Sequence, residues 1–434
     1  MNYDVIVIGA GLSGLMAAEA ARGEGARVLL LAKGMGSLPL TTGCIDGLGY
    51  FPGHSKIPLD SPLRSFDQFR KHHPHHPYVK VGGERIISSL SFFQELCRTG
   101  GMPYVGDFSS TLLLPTSLGT FHPTCLVPET MRAGDLSLPG PVVLLGFQGL
   151  RDFFPFFAAE NLNVLHAQGK ASSSFRAEVL EGLNLRGKTV NPLNLARAFD
   201  QEDFRKGFVI RARPLLKKGE RLGLPAVLGF YSSKEVWQDL EEKLGTRIFE
   251  IPLPPPSVPG LRLYNLLTDS LRQKGVRVVI GLSELLPFSE PGRLHGFSLG
   301  VSRKDPVYRA KAFVLATGKF FGGGLDSDRG RVFETLLGLP VRYPSNRREW
   351  FNLHLLAPGG QPFNSFGVEI DEDLRPVDSA GEVIYKNLFA AGGILAHADP
   401  MAEKSGGGVA ISTGCLVGKL AANQKRFNHR EHRE

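Results

Sequence analysis

Residues 4–15 read Asp4-Val5-Ile6-Val7-Ile8-Gly9-Ala10-Gly11-Leu12-Ser13-Gly14-Leu15, and after a run of helix formers the chain continues Gly25-Ala26-Arg27-Val28-Leu29-Leu30-Leu31-Ala32-Lys33. An apolar strand runs into Gly9-x-Gly11-x-x-Gly14, then a helix, then a second apolar strand. Gly9 permits the tight turn, Gly11 lets backbone approach a phosphate, and Gly14 lets the helix close on the strand, whose partner helix presents its amides and its positive end. Flanked by the right elements on both sides, Gly9, Gly11, Leu12, Ser13 and Gly14 read as a phosphate cradle. The second strand of such a unit ordinarily ends in Asp or Glu, which grips the ribose of an adenosine. Here Ala32 and Lys33 stand in that place, so the cradle is present and the ribose clamp is not.

Working outward, 434 residues exceed one ordinary core, which predicts two domains. Hydrophobic content of 42% and charged content of 21% fit a globular protein. The net charge of +8 suggests anionic partners, phosphates or an acidic membrane surface. No nucleic-acid motif accompanies it, and the densest basic stretch, 205–221, reads as a solvated face. Cys44, Cys97, Cys125 and Cys415 are far apart in sequence, which argues against a local iron–sulfur ligand set and against a disulfide framework, and fits a reducing cytoplasm. The first strand starts at residue 3 or 4, so no secretory leader is expected, and no apolar run reaches the roughly 20 residues of a membrane span.

Along the chain, helices are expected at 84–97, from about 150, from Asn191-Pro192 to Phe199, at 233–244, at 261–274 and from Ser405 through Leu420. Strands are expected at 141–147, 247–251, 276–280 and 387–391, a hairpin or meander at 295–316, and irregular chain at 98–140. His72, His73, His75 and His76 are interleaved with Pro74 and Pro77. They lack regular ligand spacing and read as an exposed loop, so no metal site is expected.

Two later glycine turns repeat the logic of the first. Ala316-Thr317-Gly318 follows the buried strand 312–315, and Gly392-Gly393 follows 387–391, with Gly406-Gly407-Gly408-Val409 opening the last helix. Open parallel sheets bind ligands beyond the carboxyl ends of their strands. The glycine-rich helix start could turn its amides toward the electron-rich pyrimidine end of a flavin. The expected fold is therefore α/β, a Rossmann-like FAD/NAD(P)-binding-type flavoprotein fold with an inserted cap or substrate domain. Its flavin-binding domain comprises 1–60 and 296–424, its insert 61–295, and its polar tail 425–434.

A set of further segments is more specific: Thr42-Gly43-x-x-Asp46, His76-Pro77-Tyr78, Leu118-Gly119-Thr120, Pro255-Pro256-Ser257-Val258-x-Gly260-x-Arg262-Leu263, Phe320-Phe321-x-Gly323-Gly324, Phe366-Gly367-Val368, Asn387-Leu388-Phe389-Ala390, Asp399-Pro400 and Gly406-Gly407-Gly408-Val409. On these, nearly end to end, the chain resembles the B subunit of anaerobic glycerol-3-phosphate dehydrogenase. The resemblance implies a flavin, FMN, and oxidation of sn-glycerol 3-phosphate to dihydroxyacetone phosphate. It also implies a catalytic FAD subunit and an iron–sulfur membrane-anchoring subunit as partners. Electrons would pass through them to quinone, from a cytoplasmic chain held peripherally at the inner membrane. FMN lacks an adenosine and suits a cradle without a carboxylate at position 32; FAD is the alternative, since other groups can hold an adenosine.

Alcohol oxidation by a flavin needs hydride transfer from carbon and a base for the hydroxyl proton. His354 and His397, with His122, are the candidates by residue type and neighbourhood. A phosphate substrate calls for Arg or Lys; Arg262 and then Lys319 are the candidates. Thr41, Thr42 and Gly43, together with Asp46 and Tyr78, are expected to border the flavin. The competing readings are a non-catalytic flavin relay or scaffold subunit of the same complex, and a stand-alone flavin or nicotinamide oxidoreductase.

Overall fold

The computed structural model describes residues 2–51, 57–183, 189–282, 284–300, 306–355, 357 and 359–427. The chain forms two compact units, Met1–Ser37 with Asp46–Phe93 and Leu267–Glu434, and Leu38–Ile45 with Gln94–Leu266.

The first unit is built on a seven-stranded sheet. Strand Asn2–Ile8 lies between Val28–Ala32 and Val307–Leu315, parallel to both, and Arg277–Ile280 extends the sheet beside Val28–Ala32. On the other side Val307–Leu315 pairs antiparallel with Arg293–Ser298 at its start and parallel with Leu388–Ala390 at its end, and Leu286–Glu290 closes the antiparallel edge. The runs 5–8, 29–31 and 312–315 are buried throughout, as strands covered on both faces must be. Helix Leu12–Gly23 packs along helix Gly406–Phe427. A Cβ at Gly414 or Gly418 would collide with the carbonyls of Ser13 and Ala17, so glycine at these two positions sets the closeness of the two helices.

The second unit carries a four-stranded parallel sheet in the order Ile248–Ile251, Arg221–Pro225, Gly140–Phe147, Ser173–Leu180. Its helices include Pro155–Ala167, Pro192–Phe199 capped by the Asn191 side chain on Asn194 N, and Ser233–Leu244. Its core is rich in Phe147, Phe199, Phe208 and Phe249.

The units divide the chain differently from the expected 61–295 insert. Strand Arg277–Ile280 belongs to the first sheet because it pairs in parallel with Val28–Ala32, a partner so remote in sequence that the pairing does not show there. Helices Pro62–His72 and Pro77–Val81 stay with the first unit, where Tyr78 OH donates to Gly47 O at 2.5 Å. Segment Leu38–Ile45 goes the other way, with Ile45 bridged to Leu126 and Ser257 N donating to Pro39 O. The stretch 98–140, expected to be irregular, holds four short strands paired as Tyr104–Gly106 with Leu126–Pro128 and Leu112–Pro115 with Phe121–Thr124. Strands of three or four residues are too short for alternation to show. The last helix continues to Phe427, past the expected end at Leu420; most of the expected tail, from 428 on, lies outside the described residues.

Candidate functional site

Register brings the three glycine turns of the first unit together. Ile8 pairs with Leu315, and Leu315 with Ala390, so the strands stop level and each runs directly into a turn: Gly9, Ala316–Gly318 and Ala391–Gly393. Backbone bonds fasten the level, with Gly9 N to Leu31 O at 2.8 Å, Ala316 N to Ile8 O at 2.8 Å and Ala391 N to Leu315 O at 2.9 Å. Gly9 has φ +116°, and a Cβ there would strike Ala316 O. A Cβ on Gly14 would strike Gly9 O. Gly11 differs: a Cβ there would meet nothing within 4 Å. Gly11 is also the N-cap of helix Leu12–Gly23 and gives it no side-chain cap. The amides of Leu12, Ser13 and Gly14 have no acceptor within the helix. Bare backbone, open space and the positive end of a helix are what a phosphate group needs.

The second helix start is partly satisfied from within. Gly408 N donates to Asp46 O at 2.8 Å, and Tyr78 OH occupies the space a Cβ on Gly408 would take. Gly392 N donates to Thr413 Oγ1 at 2.9 Å. Gly406 and Gly407 open the helix, where first-turn amides have no acceptor within it, and Val409 N closes on Ser405 O. Thr317 Oγ1 is buried with no hydrogen-bond partner among the described residues. An open cradle at Gly11 and an orphaned hydroxyl at Thr317 fit a flavin nucleotide laid along this edge.

Lys319 follows directly. Its Nζ donates to Asn364 O and, at 2.9 Å, to Ala398 O. Burial pushes its pKa down to about 8, against the pull of Glu403 and Asp399. His397 adjoins Ala398 and has φ +70°, a conformation that costs a non-glycine residue roughly 1–3 kcal/mol and clusters at functional sites. Its Nε2 meets Glu369 Oε1 at 2.9 Å, and its ring stacks on His75 with centroids 5.3 Å apart. The His397 hydrogen bond holds the Glu369 carboxyl below its usual range. Beneath the last helix, His76 is 1% exposed. Its Nδ1 accepts from Tyr78 N, so Nε2 donates to Glu403 Oε2 at 3.1 Å. Glu403 also accepts from Ser405 Oγ at 2.6 Å and Asp399 N at 3.0 Å. Burial pushes Glu403 up, but His76 and these donors outweigh it and hold the carboxyl below its usual range.

Residues 4–409 match the FAD binding domain family. The B subunit of anaerobic glycerol-3-phosphate dehydrogenase from Pectobacterium atrosepticum is 31% identical over 424 residues, covering 96% of this chain and 98% of that one. A protein of Halobacterium salinarum, named as the probable B subunit of an anaerobic glycerol-3-phosphate dehydrogenase, is 32% identical over 429 residues, covering 97% and 98%. The chain belongs to the B-subunit family of anaerobic glycerol-3-phosphate dehydrogenases. Among solved structures, 3-ketosteroid delta1-dehydrogenase from Sterolibacterium denitrificans aligns over 97% of this chain and 99% of its own, at 13% identity and a TM-score of 0.44. The fold is a flavoprotein fold of the FAD binding domain type, mixed α/β with parallel sheets. The family points to FAD and lends no support to the expected FMN.

Within this member of the family, the first unit holds Gly9, Gly11, Leu12, Ser13, Gly14, Ala316, Thr317, Gly318, Gly392, Gly393, Gly406, Gly407, Gly408 and Val409, and with them Lys319 and His397. A Cβ on Gly393 would sit 3.6 Å from Gly318 Cα. Thr41, Thr42 and Gly43 belong to the second unit, where Thr41 Oγ1 donates to Leu38 O, Thr42 Oγ1 accepts from Cys44 N, and Gly43 O accepts from Tyr104 OH at 2.6 Å.

Arg262 corrects an expectation. It is 5% exposed, and its guanidinium grips Glu250 at 2.8 and 3.0 Å and Gly229 O at 2.7 Å. Its charge is neutralised inside the second unit and is not offered to a substrate phosphate. His122 lies in the second unit on a hairpin strand opposite Leu114. His354 exposes its side chain, and its carbonyl accepts from Gln361 Nε2. The histidine segment is not an exposed loop throughout: His72 ends a helix, and His76 caps Pro77–Val81 from a buried position.

Two features escape a sequence reading. Glu369 carries no motif. Glu403 accepts from Asp399 N, but it lies four residues after this N-cap, one beyond the spacing of a capping box, so no sequence signature marks it.

Proposed function

We propose that this chain is an FAD-bearing component of an anaerobic sn-glycerol-3-phosphate dehydrogenase, in which glycerol 3-phosphate is oxidised to dihydroxyacetone phosphate. In this proposal a catalytic flavin subunit and an iron–sulfur, membrane-anchoring subunit complete the complex and carry electrons to quinone. The chain would then sit in the cytoplasm, peripheral to the membrane; among the described residues no helix is long and apolar enough to cross one. The observation that carries the reading is the level register of Ile8, Leu315 and Ala390, which sets three glycine turns along one sheet edge beside an open Gly11.

The residues divide the work by chemistry. The amides of Leu12, Ser13 and Gly14 and the positive end of their helix would hold the pyrophosphate. Gly406 and Gly407 would place a second helix terminus against negative charge on the isoalloxazine. A bound flavin supplies the hydride acceptor. His397, with Nε2 placed to donate to Glu369, leaves Nδ1 as the ring nitrogen that could take the substrate hydroxyl proton. Lys319 is the one proposed cation for the substrate phosphate, since Arg262 is committed elsewhere.

The test is anaerobic. The chain is purified alone with its flavin, mixed with glycerol 3-phosphate and a quinone, and flavin absorbance and quinone reduction are followed separately. Bleaching without sustained quinone turnover is expected. No bleaching would transfer substrate oxidation to the partner and leave this chain a relay. Sustained turnover by the lone chain would overturn the dependence on partners.

A further inference from the structure

Two turns of the second unit enter neighbouring parallel strands side by side. Residues 216–220 lead into Arg221–Pro225 and residues 244–247 into Ile248–Ile251, with Leu222 in register with Ile248. Leu222 N donates to Arg247 O at 2.9 Å, and Thr246 Oγ1 donates to Glu220 O. Arg213, whose guanidinium donates to Lys243 O, completes the rim. Together these residues line an open cleft of about 450 Å³.

The charge in this cleft is one-sided. Arg213, Lys217, Lys218, Arg221 and Arg247 line it, with Glu220 as its lone carboxylate. Glu220 is already occupied: it takes Arg176 at 2.6 and 2.5 Å and Lys217 N at 2.9 Å. Arg213, Lys217, Lys218 and Arg247 are exposed, and none has an ion-pair partner among the described residues. Several other surface cations of the same unit are neutralised locally. Arg98 pairs with Glu95, Arg132 with Asp135, Lys206 with Glu202 and Lys243 with Asp239, each three or four residues away. Arg221 is more telling. Its guanidinium is held by Ala133 O, by Leu138 O at 2.9 Å and by Ser173 Oγ at 2.5 Å, with no carboxylate in contact among the described residues. Burial lowers its pKa, partly offset by Asp135. A half-buried cation without a contacting counter-ion, under four exposed ones, draws anions into the concavity. Guanidinium forks and ammonium groups together match phosphate oxygens.

We propose that this cleft is a binding site for phosphate-bearing anions, whether the headgroups of an anionic membrane surface or a soluble phosphate compound. The site is independent of the flavin edge, and its test does not read turnover.

The flavin-loaded chain is sedimented with vesicles of phosphatidylcholine alone and with vesicles of equal parts phosphatidylcholine and phosphatidylglycerol. In a second arm it is titrated calorimetrically with inorganic phosphate, and with poly-glutamate as a phosphate-free polyanion. Binding to the anionic vesicles or to phosphate is expected. It should fall about 25-fold in Lys217→Gln/Lys218→Gln, from roughly fivefold per cation at a charged surface. It should weaken steeply with salt and be unchanged in Lys71→Gln, an exposed cation of the first unit. Vesicle binding alone assigns the lipid source, and phosphate binding alone the soluble one. No binding in either arm overturns the proposal. So does poly-glutamate binding as tightly as the phosphate ligand, or equal binding by the double variant and wild type. Melting temperature and flavin content check that the double variant is folded; if it is not, Arg247→Gln carries the same expectation at about fivefold.

Discussion

Gly11 and Gly14 stand three residues apart in one fingerprint, yet the structure gives them opposite sensitivities. At Gly11 the backbone has φ −75° and ψ 174°, extended values that any residue adopts, and an added Cβ meets nothing within 4 Å. Gly11→Ala should therefore leave the flavin-free fold intact. The gain of about 0.4–1 kcal/mol from narrowing the unfolded ensemble is offset by alanine's poorer fit at the N-cap that Gly11 occupies, so its net stability should change little. In the proposed cradle, the space that a methyl would fill is the space through which a phosphate would approach the first-turn amides. Hydrogen bonds to a charged group contribute about 1.5–3 kcal/mol each. Lengthening one or two of them should cost on the order of 3 kcal/mol of flavin affinity, a weakening of about two orders of magnitude in Kd. At Gly14 the added Cβ falls on Gly9 O, backbone that cannot move aside, so Gly14→Ala should lower the melting temperature of the flavin-free protein itself. The assay pairs thermal melts of flavin-stripped protein with FAD titration by fluorescence. A Gly11→Ala protein that binds FAD with wild-type affinity would refute the cradle. One that melts early without flavin would refute the open-space reading of Gly11.

Arg262→Met should leave Glu250 as a buried, uncompensated charge at a cost of about 3–5 kcal/mol, seen as a large drop in melting temperature; a stable Arg262→Met protein with a raised KM for glycerol 3-phosphate would restore Arg262 to the substrate site. Lys319 is depressed from 10.5 to about 8 in the fold, so between those values the unfolded chain holds more protons and stability rises with pH. Flavin-free wild type should gain on the order of 3 kcal/mol relative to Lys319→Met over that window in denaturant titrations, and parallel curves for the two proteins would show that Lys319 is not buried as a cation. Gly414→Val places side chain on Ser13 O and should part the two long helices of the first unit, lowering both melting temperature and flavin retention; unchanged values for both would remove the helix contact from the account of the site. All four cysteines are buried, and burial pushes the Cys415 thiol up to about 12, so the native protein should resist iodoacetamide at neutral pH and react at four positions once denatured; rapid native labelling of Cys415 would contradict its burial.

The glycine turns are legible in the sequence because each follows an apolar run long enough to be a buried strand, and buried parallel strands end where ligands bind. Their level alignment is not legible. It depends on Leu315 pairing with both Ile8 and Ala390, partners hundreds of residues away or across a long intervening segment. The same distance hides strand Arg277–Ile280, which reads as part of the insert until Val28–Ala32 is found beside it. It also hides His76, which sits among surface histidines in sequence and meets Glu403 only because two remote segments cross beneath the last helix.

Arg262 and Lys319 show why a candidate cation cannot be assigned from its neighbours in sequence. Both occupy glycine-rich, family-specific segments; Arg262 is buried and Lys319 half-buried. Arg262 faces a carboxylate that accepts two of its hydrogen bonds, so its charge is neutralised where it stands. Lys319 faces two carbonyls, with Asp399 and Glu403 acting on it only through space. A carbonyl satisfies a hydrogen bond without neutralising a charge, and an ammonium left in that state in a dry site is costly unless an anion arrives. The difference between the two residues is carried by what lies opposite them. For that reason the proposed function gives Lys319, placed beside the Gly318 turn, and not Arg262, the role of cation for a substrate phosphate or a reduced, anionic flavin.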